Sequence, residues 1–402
     1  MRIVLVSDFY PPAEGGLEAH VARLGGELAR RGHTVSVVTS GEVHETSMEQ
    51  GIAVVRVPSQ LSKVPHVYLD ATHPFHPPWR DTQFYRAVVR EAESLKADVL
   101  HAHGWSVFSA SAAGEKLGVP VVGTLHDYGL LCPMKSLVRD GKNCHYGAGT
   151  ACVTCPGSNQ NAVKRSILAG ALRYSRRSIG QVTWMAVSSC VAELHRALGA
   201  GINPVVVPNF LDDDYGRVRP IPEQQRVLFV GPESEYKGYP TMAAAWAEVM
   251  RSIPTASLDH VGGVARPTHN GITSWGRLGS SQLQDRYESA WIVAMPASGQ
   301  DSCPTVGLEA MAAGRPIVGS NLGGLLDLVD HGATGMLVRP RSPEALSREL
   351  ISLLRSREMV TRMGRAAGER VKNYRASHVV PQIERIYSLA IGGGLGPQRL
   401  PG

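Results

Sequence analysis

Residues 2–40, RIVLVSDFYPPAEGGLEAHVARLGGELARRGHTVSVVTS, contain the pattern that decides the fold. RIVLVS is an apolar run of strand length, and HTVSVVTS is a second one. Between them, residues 15–32 have helical spacing, with an apolar stripe formed by Leu17, Val21, Leu24 and Leu28. A strand, an amphipathic helix and a second strand predict a β-α-β unit with parallel strands.

The alternation of strands and helices continues outward from this unit. It runs through GIAVVRVPS, ADVLHAH, VPVVGTLH and QVTWMAVSS, is broken by the Pro- and Asp-rich residues 208–225, and resumes with RVLFVG, TASLDHVGG, GITSWGRL, ESAWIVAMP and GRPIVGS. This order predicts an α/β protein with two doubly wound Rossmann-like domains facing across a cleft. We assign an N-terminal domain to residues 1–207, a linker to 208–225 and a C-terminal domain to 226–375. A helix over 376–391 is expected to pack back on the N-terminal domain, before a flexible tail at 392–402.

Composition narrows the classes of function. The 402 residues are 43% hydrophobic and 19% charged, as is usual for a globular protein with sizeable cores. Lys and Arg (41) exceed Asp and Glu (35) only slightly, and they are scattered. This excess favours anionic small molecules or a membrane surface as partners, and it is too weak to indicate nucleic acid.

The chain has no run of about 18 apolar residues, so no membrane-spanning helix is expected. The apolar run in MRIVLVSD is too short for a signal peptide and predicts a first strand. We therefore expect a cytoplasmic protein, where thiols stay reduced.

Six motifs occur in one order along the chain: SDFYPPAEGGLEAHVARLGGELARRGHTVSVVT, ADVLHAH, VVGTLHDY, VVPNFLDDD, LFVGPESEYKG and MPASGQDSCPTVGLEAMAAGRPIVGS. In this register they resemble the retaining GT-B glycosyltransferases of family GT4, also called glycosyltransferase group 1. The resemblance covers almost the whole chain. It implies a hexosyltransferase with the GT-B fold, an acceptor-binding N-terminal domain and a nucleotide-sugar-binding C-terminal domain. The implied donor is a UDP- or GDP-sugar, and the acceptor is a small molecule, a lipid or a glycan.

The resemblance places the donor site in residues 295–320. A helix is expected to start near Cys303 or Pro304 and to include Thr305, and free N–H groups at such a start bind a diphosphate, aided by the helix dipole. Glu309, further along this helix, would accept the ribose hydroxyls. Asp301, before the helix, would face the sugar as a catalytic residue. The alternative is that Asp301 only caps the helix.

Two positions depart from the family pattern. Asp301 stands where Glu is usual, and it is one methylene shorter. In VGPESEYKGYP, Lys237 matches the family's diphosphate-binding Lys, but Pro232 occupies the position of its Arg. Arg277, or the helix N–H groups, would have to supply the missing stabilisation of the leaving group. The alternative for Lys237 is a solvated surface residue.

In the N-terminal domain the resemblance singles out two places. Gly15 and Gly16, after the first strand, would let the backbone approach the diphosphate and sugar closely; the alternative is a plain turn. His126, in TLHDY, resembles the active-site His that contacts the donor sugar and is assigned a catalytic role, with His103 nearby. The alternative for His126 is an interior histidine with its hydrogen bonds satisfied.

A cysteine-rich insertion over residues 132–155 does not belong to this scheme. It contains Cys132, Cys144, Cys152 and Cys155, with a Cys-x2-Cys pair at its end. Four cysteines in this arrangement suit a tetrahedral structural zinc ion. Disulfides, redox-sensitive thiols and merely buried thiols are the alternatives.

The segment VKRSILAGALRYSRRS follows the insertion and carries basic residues among apolar ones. It predicts either an interfacial helix in peripheral contact with anionic lipid at the inner face of the membrane, or a helix that packs its apolar face on the domain.

The resemblance implies front-face transfer with retention of configuration and no cofactor required for catalysis. Two other functions remain open. One is a non-catalytic GT-B sugar-nucleotide binding or scaffold protein, in which Pro232 and Asp301 would be signs of decay. The other is a different GT-B activity such as a nucleotide-sugar epimerase.

Overall fold

The structure is a computed structural model that describes residues 1–13, 15–60, 76–139, 142–155, 162–198 and 202–394. The chain divides into two compact units. The first contains Met1–Asp140, Cys144–Asn209 and Val379–Gly402, and the second contains Gly141–Asn143 and Phe210–His378. No helix among the described residues combines the length and apolar character needed to cross a membrane.

The strands that precede residue 210 are β1 (Arg2–Ser7), β2 (Thr34–Gly41), β3 (Glu45–Glu49), β4 (Ile52–Pro58), β5 (Val99–His103), β6 (Val121–Leu125), β7 (Val138–Arg139), β8 (Lys142–Asn143), β9 (Thr183–Ala186) and β10 (Val205–Val206). The helices in this part are α1 (Gly16–Arg30), α2 (Thr82–Leu95), α3 (Val107–Leu117), α4 (Ala162–Ser175) and α5 (Ser189–Ala197). Apart from β7 and β8, the strands form one sheet in the order β10-β9-β6-β5-β1-β2-β4-β3.

The order of this sheet sets the place of the first unit's functional residues. Strand β1 lies at the centre, between β2 and β5, and both neighbours run parallel to it. Chain order reverses direction at β1, so the carboxyl ends of β1 and β5 flank a switch point, which is where ligands of open α/β sheets bind. Apart from exposed Arg2, strands β1 and β5 are buried because helices cover both faces of the sheet, and β5 carries two histidines, His101 and His103, among its apolar residues.

After residue 210 come β11 (Arg226–Val230), β12 (Ser257–Val261), β13 (Arg266–His269), β14 (Ile272–Ser274), β15 (Ile292–Met295), β16 (Ile317–Ser320) and β17 (Gly335–Val338). The helices are α6 (Tyr239–Ser252), α7 (Ser280–Ser289), α8 (Thr305–Ala312), α9 (Leu325–Leu328), α10 (Pro343–Leu354), α11 (Arg357–Arg370) and α12 (Ala376–Ile391). The sheet order is β13-β14-β12-β11-β15-β16-β17, so β11 and β15 flank the switch point of the second unit.

The predicted fold class, two Rossmann-like parallel-sheet domains, is confirmed. Each sheet also ends in one antiparallel edge strand, β3 or β13, that the sequence did not predict. Both edge strands are largely exposed and polar. An edge strand bonds to a neighbour on one side only and needs no apolar pattern, which explains why both were missed.

Parts of the predicted linker are buried, and the last helix makes hydrogen bonds with the first unit. Within residues 208–225, Phe210 and Leu211 are buried and Ile221 belongs to the core of the second unit. In the part of α12 that belongs to the first unit, the hydroxyl of Tyr387 lies 2.6 Å from Nδ1 of buried His101. Glu384 accepts a hydrogen bond of 2.9 Å from Arg31.

One glycine fixes the loop after β11 against the loop after β15. Gly238 precedes α6 with φ of +80°, in the left-handed region that side chains rarely adopt. A Cβ atom here would stand 1.8 Å from the carbonyl oxygen of Pro296. The close approach of the two loops therefore requires glycine.

We predict that Gly238→Ala lowers the stability of the protein by more than the cost of its φ angle. Gly332 is the matched control, because its φ is also +80° but a Cβ there would meet nothing within 4 Å. Gly332→Ala should cost about 1–2 kcal/mol from backbone strain alone, and Gly238→Ala should cost clearly more. Urea unfolding followed by circular dichroism measures both, and equal losses would contradict this account of the loop packing.

Candidate functional site

Three histidines meet at the carboxyl ends of β5 and β6 in the first unit. His103 is the last residue of β5 and His126 directly follows β6; the Nδ1 and Nε2 atoms of these two rings are 2.9 Å apart. His20, on α1, brings its ring centroid to 4.8 Å from that of His126. The sequence analysis named His103 and His126, which do lie together. It missed His20, whose position in the middle of an amphipathic helix gives no functional signal.

The histidine trio, His20, His103 and His126, is electrically neutral at pH 7. Burial, together with the smaller effect of Arg23, lowers the pKa of His20 to about 3. Burial also holds the pKa values of His103 and His126 well below the ordinary value. Their ligand atoms all lie within 4.8 Å of one another. Neutral imidazoles bind metal ions or hydrogen-bond to hydroxyl groups, so the trio can do either.

A buried carboxylate next to the trio joins three loops. Asp8 follows β1, is fully buried, and accepts hydrogen bonds from the backbone N–H groups of Trp105 (2.9 Å) and Ser106 (2.6 Å). The ammonium of Lys135 lies 2.9 Å from Asp8 and 4.0 Å from Asp127. It also stands 4.5 Å from the ring centroid of Trp105.

Charge around Lys135 is balanced by its two acids. Burial alone would lower the pKa of Lys135, but the attraction of Asp8 and Asp127 outweighs burial and raises it. Burial raises the pKa of Asp127, which Lys135 offsets in part. The sequence analysis missed all three residues. Lys135 in particular stands in the cysteine-rich insertion with φ of +59°, a local conformation that a single sequence does not reveal.

The two glycines before α1 have different surroundings. Gly15 is the N-terminal cap residue of α1, and a Cβ there would lie 2.4 Å from a carboxylate oxygen of Glu18. A Cβ at Gly16 would meet nothing within 4 Å. The protein's own packing therefore does not require glycine at position 16.

In the second unit, two predicted site residues form an ion pair. Nζ of Lys237, in the loop after β11, lies 2.5 Å from Oδ2 of Asp301, in the loop after β15. The neighbouring residues are also joined, because the hydroxyl of Tyr236 donates to the carbonyl of Gln300 (2.8 Å). The Asp301 side chain thus pairs with a cation. The N-terminal cap residue of α8 is Pro304, whose side chain makes no capping hydrogen bond.

Helix α8 begins one residue later than the sequence suggested, at Thr305. Pro304 and Cys303 are buried before it. Glu309 lies one turn into the helix, where it accepts a hydrogen bond of 2.8 Å from the hydroxyl of buried Tyr287. Burial raises the pKa of Tyr287 well above its ordinary value, and the nearby Glu309 carboxylate raises it further. Tyr287 therefore stays a donor that orients the Glu309 carboxylate.

The remaining positions named from the second unit's sequence are placed as follows. Gly231 directly follows β11 with φ of +153°, and with Pro232 it opens the loop that carries Lys237. Arg277 is exposed in the loop between β14 and α7.

The four cysteines of the insertion line one cavity of about 20 Å³, together with Arg139 and Arg165. All are free thiols. Burial is the main cause that raises the pKa of the Cys132 thiol to about 11, against the opposing effect of backbone hydrogen bonds from Met134 and Leu137. The structure therefore gathers the four predicted metal ligands around a common space, whereas Cys303 lies in the second unit.

The chain resembles known proteins over nearly its full length. It is 28% identical over 437 residues to the glycogen synthase of Mycobacterium tuberculosis (strain ATCC 25618 / H37Rv), covering 100% of this chain and 98% of that protein. It is 25% identical to the phosphatidyl-myo-inositol mannosyltransferase of Mycolicibacterium smegmatis, covering 99% and 96%. HepE (Alr3699) of Anabaena, solved in complex with UDP-glucose, superposes with a TM-score of 0.66 at 15% identity, covering 96% and 99%.

Two Rossmann-like units of this topology and these similarities define the class as a GT-B glycosyltransferase, an enzyme that uses sugar donors. The sequence model described as Glycosyltransferase Family 4 matches residues 14–215, and that described as Glycosyl transferases group 1 matches residues 224–356. The chain belongs to glycosyltransferase family 4, as its motifs predicted.

We predict that Lys135→Met destabilises the protein by about 3 kcal/mol, because it leaves the buried Asp8 carboxylate without its cation. Lys142→Met, at an exposed lysine of the same insertion, should change stability by less than about 0.5 kcal/mol. Urea unfolding of both variants gives the comparison.

A double variant separates the ion pair from the packing of the Lys135 stem. Asp8→Asn combined with Lys135→Met should cost less than the sum of the single changes, because the two groups are in contact. Additive losses would show that the pair contributes nothing beyond its separate side chains.

Proposed function

We propose that this enzyme transfers a hexosyl group from a nucleoside diphosphate sugar to a hydroxyl acceptor with retention of anomeric configuration. The observation that carries the proposal is the arrangement before and within α8. Lys237 and Asp301 are paired at 2.5 Å, and Glu309 lies one turn into the same helix. A cation, free N–H groups at a helix start and an oriented carboxylate are what a nucleoside diphosphate needs.

Each group has a separate proposed role. Lys237 and the first N–H groups of α8 bind the diphosphate. Glu309, oriented by Tyr287, accepts hydrogen bonds from the ribose hydroxyls. Asp301 binds the sugar hydroxyls and stabilises the positive charge that develops near the anomeric carbon. In the first unit, His126 is proposed to contact the donor sugar, and the open space beside Gly16 suits close approach of a ligand to the backbone.

The diphosphate must compete with Asp301 for the ammonium of Lys237, because the two are paired in the structure. A diphosphate carries more negative charge than one carboxylate, so the exchange favours the donor. Once the diphosphate has taken Lys237, the carboxylate of Asp301 is able to bind the hydroxyls of the sugar. This exchange gives the shorter acid at position 301 a function that requires no covalent bond to the sugar.

The proposed transfer step takes place on one face of the sugar. The bond between the anomeric carbon and the diphosphate oxygen breaks as a bond to the acceptor oxygen forms on the same side. The acceptor's proton passes to the departing diphosphate oxygen. The chain supplies positioning and charge, and no metal ion is assigned a role in the step.

The decisive experiment is turnover with a panel of donors and acceptors, followed by NMR of the product's anomeric proton. UDP-sugars come first, because HepE was solved with UDP-glucose, and GDP-sugars follow. Retention is expected, normally an α product from an α-linked donor. An inverted product would overturn the mechanism. Binding without turnover across the panel would favour a scaffold protein, and interconversion of donor sugars without acceptor would favour an epimerase.

We predict that substitutions at the two acids separate binding from catalysis. Glu309→Gln should weaken nucleoside diphosphate binding about ten- to hundred-fold, because charge-assisted hydrogen bonds are worth about 1.5–3 kcal/mol. Asp301→Asn should lower kcat more than it lowers nucleotide affinity. Calorimetry and steady-state kinetics measure the two effects.

Glu369→Gln is the control for Glu309, because Glu369 is an exposed acid on α11. It should leave nucleotide affinity unchanged. Asp301→Glu, which restores the family's usual acid, should also lower activity if the site is built around the shorter side chain. Unchanged affinity in Glu309→Gln would remove that residue from the site, and wild-type turnover in Asp301→Ala would remove Asp301 from catalysis.

We also propose that α4 contacts an anionic membrane surface. Its inner face is buried, while Val163 (64% exposed), Ile167 (61%) and Tyr174 (74%) form a second apolar stripe on the outside. Exposed Arg173 and Arg177 flank this stripe. Apolar residues with basic neighbours on an exposed helix face suit a surface of anionic lipid headgroups.

Vesicle co-sedimentation tests this contact. The protein should bind vesicles of phosphatidylcholine with phosphatidylglycerol more tightly than phosphatidylcholine alone, and Ile167→Glu should abolish the difference. Val264→Glu is the matched control, because Val264 is 67% exposed but lies in the second unit. Equal binding by all variants, or none by the wild type, would contradict the proposal.

A further inference from the structure

The cysteine cluster, Cys132, Cys144, Cys152 and Cys155, surrounds a space suited to one ion. The cavity that it lines measures about 20 Å³. A space of roughly 10–15 Å³ holds one water-sized probe, so the cavity admits one small guest, and the sulfurs around it must move inward to reach a zinc ion at about 2.3 Å. Cys152 is buried and the other three are half-buried, so the cluster is not a group of thiols dispersed in an apolar core.

The backbone turns at both ends of the cluster after a cysteine. The N–H of Lys135 donates to the carbonyl of Cys132 (2.9 Å), and the N–H of Cys155 donates to the carbonyl of Cys152 (3.3 Å). Cys144 is held beside the first turn because its N–H donates to the carbonyl of Leu137 (2.8 Å). A Cys-x2-Cys pair with two further cysteines is a ligand set that four-coordinate zinc sites use, and here all four residues line one cavity.

Two arginines balance the charge that such a site would carry. Arg139 donates to the carbonyl of Ala151 (2.7 Å), and Arg165 donates to the carbonyls of Cys152 (3.3 Å) and Val153 (3.2 Å). Both arginines are among the residues that line the cavity. Four thiolates around a divalent cation have a net charge of −2, which two guanidinium groups offset.

We infer that the cysteine cluster binds one structural Zn²⁺ ion through four thiolates. On binding, each thiol gives its proton to solvent, so four protons are released and no oxidant or reductant is needed. The hydrogen bond from the Cys152 thiol to the carbonyl of Gly147 (3.7 Å) is lost. Zinc–sulfur bonds are about 2.3 Å long, so the sulfurs must draw in. All four cysteines are described, and no three of their sulfurs lie within 4.8 Å of one another, so the segment must close around the ion for it to bind.

The ion would hold Lys135 in place. Lys135 ends the turn that starts at Cys132, and its ammonium reaches the buried Asp8 at 2.9 Å. The described part of the segment between β6 and α4 contains little regular structure, only two-residue strands and one short 3₁₀ turn. A metal cross-link between its two ends would restrict the segment and fix where its lysine lies. The inference does not depend on the proposed transferase reaction.

Metal content of the full-length protein, purified without chelators, tests the site. Mass spectrometry should find about one zinc per chain in the wild type. Cys144→Ser and Cys155→Ser should lose it, whereas Cys190→Ser should keep it because Cys190 lies outside the cluster. His20→Asn should also keep the zinc, which separates the cluster from the histidine trio.

Wild-type protein gives a second measurement if the serine variants do not fold. Titration with a mercurial reagent should release zinc in step with about four thiols, detected by a colorimetric zinc indicator. The inference is overturned by metal-free protein whose thiols all react freely, by an intact mass that shows disulfides, or by zinc that is lost in His20→Asn but kept in Cys155→Ser.

Discussion

The carboxylate of Asp8 is the contact on which the first unit's functional edge depends. It accepts the first N–H groups of the turn before α3 and pairs with Lys135, so it joins the end of β1 to the segments after β5 and β6. The loops at this edge of the sheet surround the buried charge of Asp8. The N–H groups after β5 and the ammonium of Lys135 together stabilise that charge. Because His103 and His126 stand at the ends of β5 and β6, the positions of their rings follow from how these loops are held.

Much of the fold could be read from apolar runs and helical spacing, because buried parallel strands must be apolar on both faces. β1 and α12 were predicted at their observed bounds. The polar edge strands β3 and β13 were missed, since nothing buries their side chains. The candidate site divides in the same way: motif positions such as Lys237 and Asp301 were named from the sequence, but their direct pairing was not predicted. His20, Lys135 and Tyr287 come from distant segments, and only the folded chain shows what they touch.

The two departures from the family pattern, Pro232 and Asp301, lie in neighbouring loops of the second unit, after β11 and β15. Gly231 and Pro232 open the loop that carries Lys237, and Asp301 is the partner of that lysine. Asp301, the shorter acid, lies at salt-bridge distance from Lys237, the cation that this loop shares with the family pattern. On the other side, Gly323 and Gly324 pack against the backbone of Asp301 and Ser302, where a Cβ would lie 2.6 and 2.0 Å from their carbonyl oxygens. The loop is therefore fixed from two directions.

The first unit is discontinuous in sequence, and this affects when it can be completed during synthesis. Residues 1–209 leave the ribosome first, but α12 contributes Tyr387 and Glu384, the partners of His101 and Arg31, only after the second unit has been made. Domains generally fold in the order in which they are made. Here the second unit can finish before the first does, and the surface that α12 covers stays open while Phe210–His378 are made. Loss of α12 would thus damage the unit that contains β1.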